Sequence, residues 1–220
     1  MTLAEGDLVD ERYRVVHVIA TGSTSTIVEA RHVKNGDRSV LKVLHPKTAA
    51  DPMLVALFHR EARALSVLQN EHTCRITDLG HTTSNVLYTV LEYCDGIDLA
   101  RYLEQRGRLA LVDAIDYVVQ ASESIAEAHA LGLAHGKLAA GKLVITTAAD
   151  GRPFIKVLGI GGSVQAEPRA ADFANLANIL DDAAANRRPI GFADVLAMCR
   201  DGDFATVGQF ADALAPFAAS

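Results

Sequence analysis

The chain changes character near residue 95, and this limits its architecture more than any other feature. Before that point, short β-branched segments alternate with turn residues. After it, alanine-rich stretches with helical periodicity dominate. Residues 13–19, 27–33 and 39–44 read as strands. Asn35-Gly36 marks the tight turn between the second and third, because both residues tolerate positive φ. Asp51-Pro52 starts a helix, with proline in its first turn, and Leu54, Leu57, Phe58, Ala62, Leu65 and Leu68 follow at helical spacing. Two more strands are expected at 74–78 and 86–92, and Asp95-Gly96 ends them. Beyond lie expected helices at 99–104, 109–131, 171–185, 192–200 and 206–217, with a hairpin of strands 143–146 and 154–158 around Asp150-Gly151. On the long helix Ile115, Val118, Val119, Ile125, Ala126 and His129 share a face with Ser122, and Gly132 suits its C-terminal end. The pattern predicts an α+β chain, strand-rich over 1–94 and helical over 95–220.

Composition removes several function classes. Half of the 220 residues are hydrophobic and 22% are charged, which suits an ordered globular chain. A net charge of −6 argues against nucleic-acid binding and against a basic membrane-surface patch. With no tryptophan and few aromatics, base-stacking platforms are not expected. Cys74, Cys94 and Cys199 form no C-x-x-C pair, so no metal centre or disulfide framework is expected, and a reducing cytoplasm is the expected location. Residues 1–12 lack an apolar signal core, and no apolar run is long enough to insert into a membrane.

Candidate chemistry concentrates in Ala134-His135-Gly136-Lys137-Leu138-Ala139-Ala140-Gly141-Lys142-Leu143. From Gly136 this spells G-x-x-x-x-G-K-L. A phosphate-binding P-loop needs Ser or Thr after the lysine, a strand before the motif and a helix after it. Leu143 and the expected strand at 143–146 count against that reading. The same stretch resembles the catalytic loop of bacterial Ser/Thr protein kinases, H-R-D-L-K-P-x-N followed by a strand. His135 and Leu138 match it. Lys137 stands where that family keeps its catalytic aspartate, and Lys142 where it keeps a magnesium-binding asparagine.

The resemblance extends along most of the chain. Gly22 survives of the three glycines in the phosphate-covering loop, with Ala20 and Ser25 in place of the other two. Lys42 matches the strand lysine and Glu61 the helix glutamate that pairs with it. Leu91-Glu92-Tyr93-Cys94-Asp95-Gly96 resembles the hinge. It implies Leu91 as gatekeeper, the Glu92 carbonyl and Cys94 backbone facing adenine, and Asp98 near a ribose. Ile27 and Val40 would lie above the base and Val144 below it. Leu65, Ile76, His135 and Ile160 match an internal packing spine anchored at Asp172. Lys156-Val157-Leu158-Gly159-Ile160-Gly161 resembles K-V-x-D-F-G, with Gly159 in place of the principal magnesium ligand. Only residues 162–171 separate it from the helix start at Asp172, and no A-P-E motif follows; Ala166-Glu167-Pro168 has the letters in another order.

What the resemblance implies is a two-lobed protein-kinase-like fold. It has a small antiparallel five-stranded N-lobe with one helix, and a shortened helical C-lobe lacking a full activation segment. It implies a catalytically inactive pseudokinase that binds a partner protein in bacterial signalling, with no metal and no required cofactor. ATP remains an admissible ligand, and the oligomeric state is open. One alternative is a metal-independent ATP-binding switch, because Lys42 is kept and Lys137 or Lys142 could neutralise phosphates. A third reading is an unorthodox nucleotide-dependent transferase.

Overall fold

A computed structural model of the chain describes residues 3–160, 168–185 and 188–218. The chain divides into two compact units, Met1–Val67 with Cys74–Tyr93, and Leu68–Thr73 with Cys94–Ser220.

In the first unit, β1 (Leu8–Val9), β2 (Tyr13–Thr21), β3 (Ser25–His32), β4 (Arg38–Leu44), β5 (Ile76–His81) and β6 (Leu87–Glu92) form an antiparallel sheet in the order β1-β2-β3-β4-β6-β5. Val15, Val28, Ala30, Leu41, Val43, Phe58, Tyr88 and Val90 make up much of its buried core. The five expected strands are all present, and β1 adds a sixth. That strand is held through the turn that follows it: Tyr88 Oη donates to Asp10 Oδ2 at 2.6 Å, and Arg12 Nη2 donates to Asp78 Oδ2 at 2.6 Å. Two helices, α1 (Pro46–Ala49) and α2 (Pro52–Val67), complete the unit. Asp51 caps α2 by accepting the Met53 N–H at 2.9 Å, as its place before Pro52 implies. Strand β5 runs three residues beyond the expected 74–78. Asp78 and Gly80 are poor strand formers. Gly80 is tolerated there because the Tyr88 side chain lies against it: a Cβ on Gly80 would stand 2.4 Å from the Tyr88 hydroxyl.

The second unit joins a small sheet to a helical body. Strands β7 (Ile97–Asp98), β8 (Leu143–Thr147) and β9 (Pro153–Val157) pair in that order, and α3 (Leu99–Arg106), α4 (Leu111–Ala130), α5 (Pro168–Ala183), α6 (Phe192–Asp201) and α7 (Val207–Ala218) form the helices. Residues 68–73 belong here because the Glu127 carboxylate on α4 accepts the backbone N–H groups of Gln69 and Asn70 at 2.8 and 2.9 Å, while Val157 N donates to His72 O at 2.7 Å. Helix α4 starts two residues later than expected and α5 ends two residues earlier, for one shared reason. Leu109 and Ala184 pair as a parallel bridge, Leu109 N donating to Ala183 O at 2.8 Å and Ala185 N to Leu109 O at 2.9 Å. Ser122 is buried on the apolar face of α4, as expected, its hydroxyl donating to Val118 O at 2.7 Å. Among the described residues no helix is long and apolar enough to cross a membrane.

Gly96 is fixed by close approach. A Cβ there would stand 2.1 Å from the Ile145 carbonyl oxygen and 2.8 Å from its carbon, both backbone atoms that cannot swing aside. Gly96→Ala is expected to force β7 from β8 and to destabilise the chain by about 1–3 kcal/mol, read from the urea midpoint.

Candidate functional site

The two units each carry part of the expected site, and each part has its own physical basis. In the first unit, β3 and β4 pair so that Ile27 lies opposite Lys42, while Val40 on β4 lies opposite Leu91 on β6, which in turn faces Ile76 on β5. Ile27, Val40, Ile76 and Leu91 are all half-buried, and Leu65 on α2 is buried. The expected ion pair forms: Lys42 Nζ lies 2.5 Å from Glu61 Oε2 on α2, and the ammonium stands 5.7 Å from the Phe58 ring centre. Gly22 donates its N–H to Ser25 O at 2.9 Å across the tip of the β2–β3 hairpin, where a Cβ would meet only that oxygen, at 3.6 Å. Neither crowding nor positive φ therefore requires glycine there. Glu92 is engaged on both sides: its carboxylate accepts the Arg75 N–H at 3.0 Å, and its carbonyl receives the Cys74 thiol at 3.8 Å.

In the second unit Asp98, expected near a ribose, caps α3 by accepting the Arg101 N–H at 2.9 Å, and it pairs across the sheet with Val144. Cys94 is half-buried and Val144 buried. The centre of this unit is Asp172 on α5, which is fully buried. Its Oδ1 accepts the Gly136 N–H at 2.7 Å, and its Oδ2 accepts the His135 N–H at 2.8 Å and bonds His129 Nε2 at 3.0 Å. Three donors thus surround a carboxylate that would otherwise be a costly buried charge.

His135 extends this frame. Its Nδ1 accepts the Lys137 N–H at 3.3 Å, so the ring proton resides on Nε2, which donates to Leu158 O at 2.9 Å. Burial lowers the affinity of this ring for a second proton, and the nearby Asp172 charge only partly opposes that effect. Leu158 N in turn donates to Lys142 O at 2.9 Å. Lys137 and Lys142 are exposed, Ile160 is buried, and Gly159 is exposed with φ +84°. The G-x-x-x-x-G-K-L stretch ends in a short 3₁₀ turn at Ala140–Lys142 and enters β8, a strand rather than a helix. The expected shortened segment 162–171 lies outside the described residues up to Pro168, where α5 begins. His129 is the contributor that the sequence reading did not single out. Its only signal was a histidine on the apolar face of a helix near its C-terminal end.

Comparison with known proteins now bears on this frame. The family model described as the protein kinase domain matches residues 13–174. The chain belongs to the protein kinase domain family. Among curated proteins it is similar to the serine/threonine-protein kinase PknA of Mycobacterium tuberculosis, 33% identical over 161 residues, covering 71% of this chain and 37% of that protein. It is also similar to the serine/threonine-protein kinase Pkn1 of Myxococcus xanthus, 30% identical over 149 residues, covering 68% of this chain and 21% of that protein. The chain thus spans little more than a third, or less, of the length of these relatives. Among solved structures, the Mycobacterium tuberculosis PknI kinase domain superposes with a TM-score of 0.76 at 23% identity, covering 98% of this chain and 99% of that one. A double mutant of the same domain gives 0.79, at 23% identity and full coverage of both chains. The fold is the kinase fold, and the relatives place the chain in the bacterial Ser/Thr branch of the family.

Two outcomes test the frame. Asp172→Ala should cost about 3–5 kcal/mol in chemical denaturation, because it strands two buried backbone N–H groups and His129 together. His135 contributes a pH dependence of known sign. Its folded-state basicity is depressed, so the unfolded chain takes up the proton first; stability is complete above about pH 6.5 and falls as pH drops below it. The urea midpoint should therefore decrease from about pH 7 to about pH 5, and His135→Gln, less stable at neutral pH, should lose less across the same window.

Proposed function

We propose that the chain is a catalytically inactive member of its family, a pseudokinase that acts by binding a partner protein. The observation that carries this reading is the identity of the groups on the Asp172–His135–Leu158 frame. Where the family pattern has a base and two magnesium ligands, this chain has Lys137, Lys142 and Gly159. An ammonium group offers three donors and no acceptor, so it neither takes a hydroxyl proton nor ligates a divalent cation, and glycine offers no side-chain oxygen. The packing residues beneath them, His135, Ile160 and Asp172, are all buried. Shape is supported by one set of residues while a different set faces solvent, which suits a domain used as a binding surface. The three free cysteines fit a reducing compartment, and a cytoplasmic location is part of the proposal.

A second reading has a specific observation in its favour. The Lys42–Glu61 pair is intact at 2.5 Å, which holds an ammonium group where the family places the lysine that meets nucleotide phosphates. Under that reading the chain is an ATP-binding switch that needs no metal, with lysines replacing magnesium as the counter-charge.

Two measurements decide between these readings. Incubation with γ-labelled ATP, Mg²⁺ or Mn²⁺ and a generic protein acceptor should give no label above that of heat-denatured protein. Label that disappears in Lys42→Ala would sink the inactive reading. In thermal-shift titration, a rise in melting temperature with ATP that is independent of Mg²⁺ and abolished by Lys42→Ala would favour the switch. Absence of any shift up to millimolar ATP would remove it.

A further inference from the structure

Lys137 and Lys142 are tied to one rigid frame inside the second unit. Three hydrogen bonds connect their backbones in series: Lys137 N to His135 Nδ1 at 3.3 Å, His135 Nε2 to Leu158 O at 2.9 Å, and Leu158 N to Lys142 O at 2.9 Å. The connecting imidazole is 1% exposed, and its own backbone N–H is held by Asp172, so the series cannot drift with solvent. Both lysines are exposed, and among the described residues neither has an ion-pair partner. The Asp172 carboxylate does not serve them: its two oxygens are taken by Gly136, His135 and His129. Gly159 follows Leu158, and a Cβ there would meet no atom of the described residues within 4 Å.

Two ammonium groups with anchored backbones and, among the described residues, no ion-pair partner fit a ligand with more than one anionic group, although the Asp98 carboxylate lies near Gly141 beside Lys142. A carboxylate-rich peptide meets that requirement, and opposite charge across an interface governs encounter rate and partner choice. The chain as a whole carries 27 acidic against 21 basic residues, so such a peptide would be drawn to this patch and not to the general surface. We propose that Lys137 and Lys142 form a docking point for an acidic segment of the partner protein. This rests on the partner-binding reading above and gives that partner a chemistry.

The test uses a fluorescein-labelled peptide of glutamates around one serine, with anisotropy read at low and at physiological ionic strength. The chain should bind it with salt-sensitive affinity. The double variant Lys137→Glu with Lys142→Glu should weaken binding about tenfold. Lys34→Glu with Lys47→Glu, the same charge change at exposed lysines of the first unit, should leave it unaltered. A peptide that fails to bind, or that is weakened equally by both double variants, would overturn the docking point. The same samples receive γ-labelled ATP and Mg²⁺. Lost binding without label would defeat the docking point and leave the inactive reading standing, whereas label on the peptide serine would overturn both.

Discussion

The carboxylate of Asp172 is the interaction on which the second unit depends. It is wholly buried, so its charge is tolerable only because three donors converge on it. Those donors come from two different places, the C-terminal turn of α4 through His129 and the loop that follows through His135 and Gly136. Helix α5 thereby fixes the loop. The loop then fixes the end of β9, because the ring of His135 reaches the carbonyl of Leu158. The order of dependence runs from a buried charge, to a neutral imidazole of defined tautomer, to the backbone of the residue before Gly159. Nowhere in that order does the side chain of Lys137 or Lys142 take part. Both lysines are attached to the frame by backbone atoms only, so the residues that set shape and those that set chemistry are separate.

The first unit presents a contrast in magnitude. The Lys42–Glu61 pair is partly solvated, with side chains 30% and 22% exposed, and pairs of that kind contribute about 1 kcal/mol or less. It cannot be a main support of the sheet, which has its own apolar core of β-branched and aromatic residues. Its effect is local: it keeps one cation at a defined place on the sheet, beside Glu61 of α2. The Asp172 arrangement supports the fold, while the Lys42 arrangement orients a group.

Much of this was readable in the residues. Periodicity with Asp51-Pro52 predicts α2 to within a residue, the β-branched runs predict five strands of the sheet, and the family resemblance implies the pairing of Lys42 with Glu61. Asp172 was recognised as an anchor, though its third donor, His129, was not. The features missed share a cause. Strands β1 and β7 are two residues long, too short for any period to register; the turn after β1 is tied to Tyr88, and β7 pairs with β8, both far along the chain. Leu109 leaves the expected helix because Ala184, far along the chain, competes for its backbone. Residues 68–73 leave the sheet unit because Glu127 collects their N–H groups. Local pattern records local preference, and these cases are decided by long-range hydrogen bonding.

Gly96 is required by contact, since any side chain would strike the backbone of Ile145. Gly22 is required by neither contact nor conformation. Gly159 is a third case: among the described residues a Cβ would meet nothing within 4 Å, and its φ of +84° lies in the region that favours glycine but that aspartate and asparagine enter more readily than other residues. Crowding therefore does not explain the missing side chain at 159. The exposed lysines at 137 and 142 are likewise free of packing constraint. At 137 and 142 exposure leaves room for the carboxylate or amide that the family pattern carries, and the chain carries lysine; at 159 a side chain would have to adopt the positive φ. A site whose shape is held by buried groups and whose outward lysines are cationic has the physical form of a surface for anions, and that form is the ground on which an acidic partner is proposed.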